Sequence, residues 1–236
     1  MDKFLISLLL LVLMAGCTIN ENFVYKPAGV VDGGLKLPVK VAVLPFVDGT
    51  EGFTQRTTSH GEYVNLAKSG VDYRINLLPP DQWGKAFADE LAASGSFQQV
   101  RFVYDISEVA DNEVVIAGVV TKAYLAIASR TNPSLFAVTL NARTGKQGRA
   151  FWEKSTSREE VSGAGYGEGC GFSRQCAVDQ YHAHWNKIVM GAFLDARQDF
   201  VTTLLRRGGG KKDEPSNKTA TPESVDLLIK HIIKEK

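Results

Sequence analysis

A helical period of apolar residues runs without a break from Ala177 to Arg207, and it constrains the fold more than any other feature of the sequence. At 1.5 Å per residue such a helix is about 45 Å long. An apolar stripe of this length needs a broad surface to bury it, and we expect it to lie across a β-sheet. The stripe consists of Val178, Tyr181, Trp185, Ile188, Ala192, Phe193, Ala196, Phe200, Val201, Leu204 and Leu205.

Apolar and alternating segments upstream predict that sheet. We place strands at 39–46, 100–104, 112–129, 135–143 and 149–158. The first is almost entirely apolar at its end, which indicates burial on both faces. The last three are separated by Asn132-Pro133 and by Thr144-Gly145-Lys146, so an antiparallel meander is expected.

A second helix is predicted between the first two strands. It begins at Pro79-Pro80-Asp81, runs to Ser94 and stops at Gly95, with proline at the start and glycine after the end. Its apolar stripe is formed by Trp83, Phe87 and Leu91. The fold class is therefore α+β, an antiparallel or mixed sheet packed by helices on one face, with a long C-terminal helix.

Composition excludes several classes of protein. The 236 residues are 44% hydrophobic and 22% charged, as in globular domains. The formal charge of +1 provides no basic surface for nucleic acid, so no nucleic-acid partner is expected. No apolar run reaches the roughly 18–20 residues that span a bilayer.

The N-terminus has the pattern of an export signal. Lys3 precedes an eleven-residue apolar segment, 4–14, which suits a secretory signal and is too short for a transmembrane helix. The run Leu13-Met14-Ala15-Gly16-Cys17 resembles the lipobox of bacterial lipoproteins. That resemblance implies a signal peptide over 1–16, and a lipid anchor (diacylglycerol and an amine-linked acyl chain such as palmitate) on Cys17. The alternative is an ordinary signal peptide that ends near a cysteine.

The lipobox resemblance also implies a location. Thr18 follows the cysteine, where an aspartate would favour the inner membrane, so the periplasmic face of the bacterial outer membrane is expected. We divide the mature chain into a lipidated tether over 17–38, a single α/β domain over 39–207, and a flexible linker plus short amphipathic helix over 208–236. The polar stretch 49–77 is either a binding loop or a mobile flap.

Two further cysteines lie close together in Cys170-Gly-Phe-Ser-Arg-Gln-Cys176. In an oxidising compartment they can form a disulfide. The alternatives are free thiols, a metal site with His182 and His184, and a redox-active pair, although the spacing is not Cys-x-x-Cys. Two histidines separated by one residue on a helix point about 200° apart, which disfavours a shared ion.

No catalytic constellation, metal site or cofactor motif emerges from the sequence. The glycine-rich run Gly163-Ala-Gly-Tyr-Gly167 does not open directly into a helix, as a phosphate-binding loop would. The side chains of the adjacent carboxylates Asp89-Glu90 and Glu159-Glu160 are expected to diverge. His60 and His231 lie far apart in polar segments of the sequence. We therefore predict a non-enzymatic protein.

Three segments resemble a group of periplasmic domains. They are the strand 41–48, the helix phrase Phe87-Ala-Asp-Glu-Leu91 continuing through 94–97 to Val100, and the strand 111–120. The group includes the curli secretion lipoprotein, the penicillin-binding-protein activator lipoproteins and the N-terminal domain of the Tol propeller protein. The resemblance covers about residues 39–205 and implies an anticodon-binding-domain-like sandwich that docks or assembles proteins without catalysis.

The expected function is accordingly a periplasmic docking or assembly module. Its partners would be the membrane, through the lipid on Cys17, and an envelope protein or copies of itself. A homo-oligomeric secretion or scaffold component and an envelope hydrolase remain as alternatives. The predicted helix 222–233 is the candidate partner-binding segment, with an apolar face of Val225, Leu228, Ile229 and Ile232.

Overall fold

The computed structural model describes residues 22–29, 36–50, 78–126, 132–161, 168–171 and 173–208. The elements in chain order are β1 (Leu37–Val43), β2 (Val47–Asp48), α1 (Pro80–Ala93), β3 (Phe97–Phe102), a 3-10 turn (Ile106–Glu108), β4 (Glu113–Tyr124), β5 (Pro133–Thr144), β6 (Ala150–Val161) and α2 (Arg174–Gly208). The predicted α+β class is confirmed.

The six strands form one mixed sheet in the order β3-β1-β4-β5-β6, with β2 also beside β4. β1 is parallel to β3 and to β4. The segment from β4 to β6 is the predicted antiparallel meander, in which Val120 pairs with Val138 and Val138 pairs with Thr156. β4, β5 and β6, which are joined as two long hairpins, are the longest strands of the sheet.

Both helices pack on the same face of the sheet and enclose the main core there. The alternating residues of β5 are the clearest case, because Phe136, Val138 and Leu140 are all buried while their neighbours are not. Aromatic rings join the layers, with centroids 4.9 Å apart for Trp83 and Phe136. The largest fully buried aromatic side chains are Trp83, Phe87, Phe136, Trp185, Phe193 and Phe200.

β1 is buried on both faces, as its apolar sequence predicts. Val41 and Val43 belong to the main core. Ala42 points the other way, into a small cluster with Val103, Val109 and Val115. The residues around the 3-10 turn thus cover one end of the second face.

Some strand boundaries differ from the predicted ones. β1 ends at Val43 rather than Phe46, and Phe46 instead packs over Gly118 of β4. A Cβ on Gly118 would lie 2.8 Å from the Phe46 ring, so glycine makes that packing possible. β3 begins three residues early, at Phe97, and β4 ends at Tyr124 rather than at Ser129.

α2 is aligned on the edge strand β6 by a series of ion pairs. Lys187 bonds Glu160, Asp195 bonds Arg158, and Asp199 accepts from Lys154. Residue numbers rise along the helix as they fall along the strand, so the two elements run in opposite directions. None of the described helices is both long enough and apolar enough to cross a bilayer.

Candidate functional site

Several residues predicted to have a function lie outside the described residues. They are the lipidation residue Cys17, the candidate partner-binding residues Val225, Leu228, Ile229 and Ile232, and the histidines His60 and His231. Most of the polar stretch 49–77, from 51 onward, and the glycine run 163–167 also lie outside them. The structure describes the domain to which these segments are attached.

Cys170 and Cys176 form a disulfide, which confirms the predicted pairing. Their Cα atoms are 5.5 Å apart. Ser173 lies inside this ring and immediately before α2, and its Oγ accepts a hydrogen bond from the Cys176 N–H. The same turn therefore caps the helix and carries the crosslink.

The two histidines downstream of the disulfide contact different parts of the molecule. The His182 ring meets the edge of Phe23, with centroids 5.8 Å apart. His184 lies near Glu160 of β6, and burial lowers its pKa. The described residues hold no group of three or more His, Cys, Asp or Glu side chains arranged for a metal ion.

The two adjacent carboxylate pairs diverge, as expected. The Asp89 side chain is 46% exposed and pairs with Lys85 one turn away, whereas Glu90 is completely buried. On β6, Glu160 turns toward Lys187 while Glu159 is exposed. Neither pair converges on a common site.

Residues 22–29 pack onto the domain, which differs from the tether predicted for 17–38. Phe23 and Tyr25 are 2% and 8% exposed, whereas Val24 between them is 62% exposed. The Tyr25 ring meets Phe193 of α2, and the Phe23 ring meets Trp83 of α1. The alternation Phe-Val-Tyr in a polar stretch could have predicted this packing. The nearby glycines and prolines instead favoured a tether.

Glu90 joins this N-terminal segment to both helices. One carboxylate oxygen accepts hydrogen bonds from the Tyr25 hydroxyl, at 2.8 Å, and from the Ala28 N–H, at 3.0 Å. The other accepts from the Arg197 guanidinium at 2.6 Å. Burial, and next the charge of Glu90, raise the pKa of Tyr25 above its usual range, so the hydroxyl remains a donor.

A groove of about 650 Å³ lies beside this segment. Asn22, Val24 and Lys26 form one wall, and the first turns of α2 form the other. The helix residues that line it are Gln175, Asp179, His182, Ala183 and Asn186. The N-terminal segment and the disulfide-bearing end of α2 therefore share one surface of the domain.

The sheet face opposite the helices is the other distinctive surface. We call the part formed by Val47, Val119, Ala137, Thr139, Ser155 and Ser157 the open sheet face; its side chains are small and none is fully buried. Val119, Thr139 and Ser155 form one row across three strands, and the Thr139 and Ser155 hydroxyls are 2.9 Å apart. Among the described elements, only the segment around the 3-10 turn packs on this side, at its β1 end.

Comparison with known proteins identifies similar folds. No protein family and no curated sequence matches the chain. The crystal structure of a Xanthomonas campestris protein of family DUF330 is similar with a TM-score of 0.52 at 10% identity, covering 78% of this chain and 95% of that one. This similarity shows a shared fold.

Two further solved structures are less similar. One is the PelC dodecamer from Paraburkholderia phytofirmans, with a TM-score of 0.39 at 16% identity over 67% of this chain and 89% of that one. The other is a lipoprotein from Neisseria meningitidis, with a TM-score of 0.26 at 14% identity over 61% of this chain and 97% of that one. Neither correspondence is close enough to transfer a property to this chain.

Proposed function

We propose that this chain is an exported bacterial lipoprotein whose domain is a non-enzymatic docking or assembly module in the periplasm. Cleavage before Cys17 and acylation of that cysteine would anchor it to the outer membrane. The apolar segment 4–14 and the small residues before Cys17 support this anchoring. Several acyl chains hold a protein stably, whereas one chain is marginal.

The disulfide between Cys170 and Cys176 is the observation that carries the proposed compartment. Structural disulfides persist in the periplasm and are rare in the bacterial cytosol. The crosslink lies in an exposed turn beside the start of α2, where reductants of the cytosol would reach it. The disulfide therefore agrees with the export signal predicted at the N-terminus.

The open sheet face supports a docking role. Small side chains on three paired strands permit close approach of another protein along the row Val119, Thr139 and Ser155, which lies beside the exposed Lys122. Val47, at one side of the open sheet face, is 63% exposed. The predicted helix 222–233, with Val225, Leu228, Ile229 and Ile232, is proposed as a second contact with the same envelope partner.

In-cell crosslinking followed by affinity purification tests this function. We expect one distinct envelope protein attached to the intact chain. Ala137→Arg, in the middle of the open sheet face, should remove it, whereas Thr202→Arg on the exposed side of α2 should not. Deletion of 209–236 measures the contribution of the C-terminal segment independently.

The alternatives predict different results in the same experiment. A ladder of self-crosslinked species would favour the homo-oligomeric scaffold. Recovery of no attached protein would contradict a docking module and favour an envelope hydrolase. Cys17→Ser should move the protein from the membrane fraction to the soluble fraction; continued membrane association would contradict the lipid anchor.

A further inference from the structure

The path of residues 22–29 determines where the lipid anchor meets the domain. Phe23 inserts between the helices, with its ring centroid 6.1 Å from Trp83 of α1 and 5.8 Å from His182 of α2. Phe23 is 2% exposed, and burial of so large an apolar side chain stabilises the packed position of the segment. The segment is therefore part of the domain from Phe23 onward.

Polar contacts fix the same segment along its length. The Lys26 N–H donates to Asn186 Oδ1 at 2.7 Å, and Asn186 Nδ2 donates back to the Lys26 carbonyl at 2.9 Å. Two residues later the Ala28 N–H donates to the buried Glu90. Because α1 and α2 both hold the segment, it cannot detach without losing contacts to each helix.

The chain left to act as a tether is consequently very short. Asn22, the first described residue, is only five residues after Cys17. Even fully extended, five residues span about 18 Å at 3.3–3.6 Å each. The 35-residue helix α2 alone is about 52 Å long at 1.5 Å per residue. A domain held by a tether much shorter than itself cannot present every face to the membrane equally.

We infer that the surface formed by the N-terminal segment and the first turns of α2 faces the lipid headgroups. This inference rests on the proposed acylation of Cys17. It places Val24, Asp179 and Ala183 on the membrane side of the domain. The distal turns of α2 point away, since Thr202 is about 28 Å further along the helix than Ala183 at 1.5 Å per residue.

Headgroup quenching of site-specific dyes on the intact lipoprotein tests the orientation. Ala183→Cys and Thr202→Cys each add one exposed thiol to the same helix, because Cys170 and Cys176 are paired and Cys17 would be acylated. The labelled proteins are reconstituted in phosphatidylethanolamine and phosphatidylglycerol vesicles containing a nitroxide-headgroup lipid. We expect quenching severalfold stronger at position 183 than at position 202.

A lengthened tether provides the matched control. A Gly-Ser insert of about 20 residues after Ile19 adds roughly 25 Å of root-mean-square length. It should abolish the difference between the two dyes while leaving the protein on the vesicles.

Flotation of the vesicles, measured first, separates the two claims. Equal quenching at both positions in protein that floats would overturn the orientation and leave the anchor intact. Protein that does not float would overturn the anchor, and the orientation with it.

Discussion

Glu90 of α1 and Arg197 of α2 form an ion pair in the interior of the domain, 2.6 Å apart and 0% and 6% exposed. The carboxylate is also bonded by the Tyr25 hydroxyl and the Ala28 N–H. A buried charge is tolerated only when its partners are in place, because no water can solvate it. One pair thus links the N-terminal segment, α1 and α2.

Removing the carboxylate should destabilise the domain strongly. We expect Glu90→Ala to cost about 3–5 kcal/mol, since it leaves the Arg197 charge buried without its partner. Asp89→Ala is the matched control: its exposed ion pair with Lys85 is worth about 0.3–0.5 kcal/mol. Urea unfolding at pH 7 measures both, and equal effects would contradict a structural role for Glu90.

Two helix glycines should respond in opposite ways to alanine. A Cβ at Gly84 would lie 2.2 Å from the carbonyl oxygen of Leu44, so Gly84→Ala should separate α1 from the sheet and lower stability. At Gly191 the nearest atom is 3.4 Å away, in the flexible Arg158 side chain. Gly191→Ala should therefore raise stability by up to about 1 kcal/mol through helix propensity. Thermal unfolding of the two variants tests this; destabilisation by both would show that the Arg158 side chain cannot give way.

Phe23 should contribute to stability although it lies within the predicted tether, 17–38. Phe23→Ala should cost about 3–5 kcal/mol, because it leaves a cavity between Trp83 and His182. Val24→Ala, at the exposed neighbouring position, should change stability by less than about 0.5 kcal/mol. Chemical unfolding of mature chains without the signal peptide compares them. An unaffected Phe23→Ala variant would show that the segment does not pack.

Low pH should lower the free energy of unfolding of the domain, in part through protonation of Glu113. Its carboxylate accepts two hydrogen bonds from the Arg101 guanidinium, at 2.8 and 2.7 Å, and these hold its pKa below the ordinary value of 4.5. As the pH falls, Glu113 is protonated in the unfolded chain before it is protonated in the folded domain. The stabilisation by ionised Glu113 is therefore complete above pH 4.5 and is lost as the pH falls through the lower pKa of the folded state.

The Glu113→Gln variant isolates that contribution. Its free energy of unfolding should fall less steeply between pH 5 and pH 3, by denaturant titration at each pH, than that of the native protein. Glu153→Gln, an exposed carboxylate on β6, serves as the control and should keep the native slope. Identical slopes for all three proteins would rule out Glu113 as a source of acid sensitivity.

The disulfide should act as a local crosslink of moderate strength. For a ring of seven residues, the chain-entropy treatment predicts a loss of about 2.4 kcal/mol in a Cys170→Ser, Cys176→Ser double variant. A reductant should lower the unfolding temperature of the native protein to that of the variant and leave the variant unchanged. A native protein indifferent to reductant would indicate that the pair is dispensable for stability.

Periodicity in the sequence was sufficient for most elements of this fold. The stripe from Val178 to Leu204 predicted α2, because a helix that packs on a sheet repeats apolar residues every three to four positions. Strict alternation around Val138 predicted β5 and its neighbours, and the spacing of Cys170 and Cys176 predicted their bond. Each of these patterns lies within a single short segment of the sequence.

The contacts between distant stretches were decided only by tertiary structure. Helical spacing places Glu90 on the same side of α1 as Trp83 and Phe87, but it does not show how a buried carboxylate is compensated. Its partners, Tyr25 and Arg197, are 65 and 107 residues away. The strand pattern at 39–46 gave no sign that Phe46 would leave β1 to cover Gly118. Likewise, the glycines and prolines of 17–38 suggested a free tether, whereas the helices hold residues 22–29. Local sequence determines the conformational preference of a segment. The residues that bury a given side chain come from distant segments, and only the complete fold brings those segments into contact.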